Sequence, residues 1–133
     1  MLGAITFGVL AQAEQPIVDS STSGEFVKKR YSIKGTWSVV DADGKKTITF
    51  SDDFKTRSGP DLKIYLSPKP IETLTGKTAT AGSLKLGVLK SNQGEQSYIL
   101  PDDVNLSDYK SIIVHCEAFS VLWGGFDIAN EKD

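Results

Sequence analysis

The stretch GTWSVVDADGKKTITF, residues 35–50, decides how the rest of the chain is read. Trp37 and Val39 stand two apart around Ser38, and Ile48 and Phe50 flank Thr49. A period of two puts alternate side chains on one face of an extended strand. Between the two runs lies Asp43-Gly44, a pair that supplies the positive φ values a two-residue hairpin turn needs. The stretch therefore reads as an antiparallel hairpin with one apolar face.

The same signal continues outward. Leu62, Ile64 and Leu66 alternate with Lys63, Tyr65 and Ser67, giving a strand with one apolar face. Ser67-Pro68 and Lys69-Pro70 end it, because proline cannot donate to a ladder. Leu84, Leu86 and Val88 repeat the alternation. A turn over 91–94 leads into a strand at 96–100, which Pro101 closes. Residues 102–110 read as a loop or a single helical turn, with Asp102 as its cap and Leu106 and Tyr109 at i and i+3. Strands follow at 111–117 and 119–122, with a last short one at 126–128. No window from Gly24 onward holds a 3.6-residue apolar period over three turns. Short strands at regular spacing with turns between them predict an all-β, single-domain antiparallel β-sandwich or β-barrel. Leu62, Ile64, Leu66, Leu86, Val88, Ile112 and Val114 are expected to share its core.

A chain of 133 residues closes a core of this kind without metal or disulfide staples. Its net charge of −2 gives no electrostatic case for nucleic acid or an anionic membrane as partner. The one basic cluster, Lys28-Lys29-Arg30, reads as a solvated strand end. Residues 2–10 form an apolar run broken only by Thr6, and Ala11-Gln12-Ala13 follows in a small-x-small pattern. Residues 1–13 accordingly read as an export signal, although no Lys or Arg precedes the run, and an edge strand is the alternative. Residues 14–23 are polar, Ser-rich and aperiodic, and read as a linker. The folded domain is placed at 24–129, with a polar tail at 130–133. No stretch is apolar for the ~20 residues a transmembrane helix takes. The expected location is outside the cytoplasm: secreted, periplasmic or at the cell surface.

The chain's only histidine and only cysteine are adjacent, in IIVHCEAFSV at 112–121. In a regular strand successive side chains point to opposite faces. Cys116 then shares a face with Val114 and Ile112, and His115 with Ile113 and Glu117. Such neighbours cannot form a Cys–His dyad, which needs the two groups within hydrogen-bond reach. With no second cysteine or histidine there is no zinc set either, and no metal site is expected. Cys116 is a packed apolar side chain, a free thiol, or half of a bridge to another chain. Gly-x-Ser-x-Gly, His-Glu-x-x-His and phosphate-loop patterns are all absent.

Four segments taken in order carry a resemblance: GPDLKIYLS (59–67), LGVLK (86–90), GEQSYILP (94–101) and YKSIIVHCEAFSV (109–121). Together they resemble the DM-thirteen domain, an extracellular module that accompanies DOMON and cytochrome b-type modules in Skeletor-type proteins. The resemblance covers residues 24–129. It implies an all-β fold, an exported location, and an electron-transfer or thiol-redox role centred on one hallmark cysteine, which maps onto Cys116. It also implies that this cysteine acts either as a redox thiol or as the attachment point of a prosthetic group such as haem. His115 stands where an aromatic residue is expected. One thiol cannot complete a disulfide cycle alone, so the resemblance implies a separate redox partner protein. The competing reading is a non-catalytic binding or adhesion domain. There Cys116 only packs, and Trp123-Gly124-Gly125-Phe126 forms the contact patch.

Overall fold

A computed structural model of the chain describes residues 23–42 and 44–128. The signal segment at 1–13 and the tail at 130–133 lie outside the described residues, as does all of the linker except Ser23. The described strands, in chain order, are β1 (Ser23–Glu25), β2 (Val27–Lys28), β3 (Ile33–Lys34), β4 (Thr36–Ala42), β5 (Lys45–Phe50) and β6 (Lys55–Thr56). They continue with β7 (Leu62–Ser67), β8 (Leu84–Val88), β9 (Gln96–Ile99), β10 (Ser111–Cys116) and β11 (Val121–Asp127). One sheet has the order β1-β4-β5-β9, a second the order β2-β11-β10-β7-β8, and β3 pairs with β6 alone. Every pairing between these strands is antiparallel. Ser23, read from sequence as the end of the linker, opens β1 opposite Ser38.

The hairpin forms as its sequence dictates. Trp37 faces Phe50, Val39 faces Ile48, and Ala42 pairs with Lys45 across a turn in which Gly44 takes φ +79°. Trp37, Val39, Ile48 and Phe50 turn inward and meet Ile64, Leu66, Ile112, Val114 and Phe126 of the five-stranded sheet. Trp37 stacks flat on Phe126, with ring centroids 4.0 Å apart and planes 8° apart, joining the two layers. The result is an antiparallel β-sandwich.

Leu62, Ile64, Leu66, Ile112 and Val114 share this core as expected, and Leu86 packs against it partly buried. Val88 does not, and is 61% exposed. The cause is a β-bulge. The β7–β8 register runs Lys63↔Val88 and Ile64↔Gly87, then jumps to Tyr65↔Lys85, leaving Leu86 as the extra residue. Gly87 takes φ +151°, and beyond it the alternation is inverted, so Val88 joins the outer face with Lys63.

That outer face is the second departure. The alternation predicts that β7 is apolar on one face only, yet Tyr65 is 4% exposed. Tyr65, Ile113 and Leu122 form a second small core with Ile71, Leu74 and Ala79. The last three come from residues 68–83, which leave the end of β7 and strap back over the sheet. Asp127 Oδ1 accepts from Ile71 N at 2.8 Å, and Ser111 Oγ donates to the Lys69 carbonyl at 2.7 Å. At the strap's far end Gly76 lies so close to the Ser120 carbonyl that a Cβ there would collide with it.

The C-terminal strands also differ from expectation. β11 is continuous, whereas the sequence suggests strands at 119–122 and 126–128. Phe119 lies in the turn before it and is 67% exposed. Trp123 and Phe126 are buried in mid-strand, so the Trp123–Phe126 contact patch of the adhesion reading is core rather than surface. In residues 102–110 a 3-10 turn forms over Leu106–Asp108. Its cap is Asn105, which accepts from Ser107 N at 3.1 Å, while Asp102 instead pairs with Lys45 at 3.0 Å.

Candidate functional site

β10 runs between β7 and β11, which pins both of its edges. Cys116 is its last residue, directly opposite Leu62 on β7 and Val121 on β11. Its thiol is free and 1% exposed, enclosed in the main core with Leu62, Val114 and Trp123. Trp123 is the extra residue where the β10–β11 register shifts between Val114 and His115. Its indole donates to the Arg57 carbonyl at 2.9 Å, and its ring fills the space beside Gly59 that a side chain there would take.

His115 points the other way, toward the strapped face. It is 2% exposed, with its ring edge-on to Tyr65 at 5.8 Å and 82°. Its Nδ1 is buried without a hydrogen-bond partner. Burial pushes the imidazole below its usual 6.5, against a smaller opposing pull from Glu117, so the ring is held neutral. The sulfur and the imidazole are thus on opposite faces of the sheet, as the alternation requires, and cannot act on one atom together.

Just past Cys116, an ion cluster fastens the strand end. Glu117 accepts from Lys63 at 2.6 Å and from Lys85 at 2.9 Å, and Lys63 also reaches Asp61 at 2.9 Å. The hydrogen bonds from Lys63 and Lys85 hold the Glu117 carboxyl down at about 2. Lys63 is raised correspondingly by Asp61 and Glu117. The backbone adds one tie, Glu117 N to the Asp61 carbonyl at 3.0 Å. Sequence reading missed this cluster, although 115 and 117 share a face by period and Lys63 faces His115 in register. Lys85 reaches that face only because of the bulge.

The prosthetic group that the resemblance implies can be tested against this geometry. A haem held by Cys116 needs the sulfur at the wall of a cleft, with open space beside it. The grooves near this strand end are one of about 330 Å³ along residues 58–63 and 88–92, and one of about 430 Å³ between the strap tip and the β10–β11 turn. Cys116 lines neither. The only imidazole faces away from it. Among the described residues no three His, Cys, Asp or Glu side chains gather to hold a metal ion. The packed residues around Cys116 do not fit a haem.

A protein-family model described as "Electron transfer DM13" matches residues 25–128, which include all of the elements above from the last residue of β1 onward. No curated protein and no solved structure gives a significant match.

Proposed function

The chain belongs to the DM13 electron-transfer family, and from that premise we propose that it is an exported module passing reducing equivalents between separate partners through the Cys116 thiol. The observation that carries this reading is the position of Cys116. The chain's single thiol lies inside the matched region, at the last residue of a central strand and beside the exposed turn 117–120. A sulfur 1% exposed reacts only when its surroundings open. Strand ends open locally at far less cost than global unfolding. Here the opening releases the Glu117–Asp61 backbone bond and the ion cluster around Glu117.

In the open form the thiol loses its proton to water, and the thiolate attacks a disulfide of the partner. A mixed disulfide forms and one partner thiolate leaves. A thiol of a second, dithiol partner then attacks the Cys116 sulfur and releases the first partner's second thiolate. The neighbouring thiol of that dithiol displaces Cys116, closing the second partner's own disulfide and restoring the Cys116 thiol. Two electrons pass in all, and the chain ends as it began. Residues 1–13 serve as the export signal and are absent from the mature protein.

Burial of Cys116 also favours a second reading, a binding domain in which the cysteine is packing alone. Thiol labelling of the folded protein from its native host, with its N-terminus sequenced, separates the two. The redox reading expects labelling in native buffer faster than global unfolding, and trapping of a mixed disulfide by a partner disulfide. It also expects Cys116→Ser to abolish transfer while the fold survives. Labelling only at the rate of global unfolding, with Cys116→Ser merely lowering stability, would establish the packing reading.

A further inference from the structure

We infer that the face carrying Arg30, Tyr31, Lys34, Lys55 and Arg57 is the docking surface for an acidic partner protein; this extends the electron-transfer reading to the partner's chemistry. The guanidinium groups of Arg30 and Arg57 lie against the Tyr31 ring, 4.8 and 5.0 Å from its centroid. Two cations from distant parts of the chain are thereby brought to one aromatic platform. β3 and β6 extend the same face, and their register sets Lys34 directly opposite Lys55, both exposed. Like charges placed directly across a strand pair repel, a cost that an anionic partner would turn into attraction.

Among the described residues, none of these four cations takes part in an ion pair; the pairs present use Lys45, Lys46, Lys63 and Lys85. The nearest carboxylates in sequence are Asp52 and Asp53. Asp53 accepts instead from Ser51 Oγ, and neither forms an ion pair with Lys55. On a molecule of net charge −2, a face of uncompensated cations marks a local sign reversal. Such a face steers and orients an acidic protein surface. A long polyanion would gain about four contacts here and meet repulsion from the rest of the molecule.

The platform also leads inward. The Tyr31 ring is 4.5 Å from Trp123, and Trp123 and Leu62 converge on Gly59. Leu62 is the residue directly opposite Cys116. A partner docked on Tyr31 therefore sits over the packed route to the thiol.

The test titrates the full chain with a deca-glutamate peptide at low ionic strength, followed by amide and indole NMR shifts. Duplex DNA and phosphatidylserine–phosphatidylcholine vesicles are titrated in parallel. Expected are shifts centred on Lys34, Lys55, Arg57 and the Trp123 indole, lost as salt is added. The double variant Lys55→Glu/Arg57→Glu should weaken binding by about tenfold or more, whereas Lys45→Glu/Lys46→Glu should leave it unchanged. Since Lys55→Glu sets an opposite charge across the strand pair from Lys34, the first variant is expected to fold. The neutral variant Lys34→Gln/Lys55→Gln, with a smaller expected loss, guards against misfolding. Peptide shifts elsewhere, equal binding by the variants, or tighter binding to DNA or vesicles would overturn the surface. Cys116→Ser should bind the peptide normally. Docking without transfer would therefore count against Cys116 alone, and transfer indifferent to the charge reversals would count against this face alone.

Discussion

His115 shows what one buried titratable group does to a small fold. The unfolded chain takes up a proton near 6.5, while the folded chain, with its imidazole pushed below that value by burial, does not. Below about 6.5 the unfolded state binds more protons, so stability falls as pH falls. Above it neither state is charged at this position and the dependence vanishes. His115→Gln should flatten the decline in melting temperature between pH 7 and pH 5, read by thermal scans at each pH. Glu117 acts in a lower window. Its folded value of about 2 against the usual 4.5 gives stability that is present above 4.5 and lost as pH drops toward 2. The opposed directions of His115 and Cys116 were legible in the sequence, because they follow from strand period alone. So was the burial of Cys116, which shares its face with the core residues Ile112 and Val114; that of His115 was not, since nothing in residues 112–117 announces what covers the other face.

At the scale of elements, period two carries the reading correctly through β4, β5, β7 and β10, where one residue follows another without interruption. It fails in β8, because a bulge inserts a residue and inverts everything after it. The signal is present as Gly87, a glycine inside an apolar alternation, which marks a bulge more often than a regular strand position. The inversion separates two residues that composition treats alike. Ile64 is fully buried and Val88 is 61% exposed. Ile64→Ala should cost roughly 2–5 kcal/mol in urea unfolding, the usual range for a truncated core side chain. Val88→Ala should stay within about 0.5 kcal/mol, as surface changes do. Equal losses at the two positions would mean that the β7–β8 register is wrong. Trp123 is the corresponding case in β11. Two following glycines make it read as surface, yet those glycines serve close contacts: Gly124 with the Val27 carbonyl and Gly125 with the Ile112 carbonyl.

For the whole molecule, two layers were legible and the third was not. The strap of residues 68–83 has no apolar period, and its three buried residues, Ile71, Leu74 and Ala79, are spaced irregularly among prolines, threonines and lysines. Its role emerges only once β7, β10 and β11 are assembled and need a cover. That assembly has a temporal consequence. β11 follows every other described strand in the chain, yet it supplies one whole flank of β10 and, among the described residues, the only sheet partner of β2. β11 closes on β10 across the short turn 117–120, but docking this hairpin on β7 and β2 joins distant segments and is slow, because loop closure must come first. Until that docking, the sulfur of Cys116 lacks its Leu62 neighbour and the Trp123 ring its seat at Gly59, and the sulfur is open to oxidants and to other thiols. Pulsed alkylation during refolding should find Cys116 reactive through the early phase and protected only in the last one, together with the Trp123 fluorescence change. A thiol reagent therefore meets its easiest access to this cysteine before the sheet has closed around it.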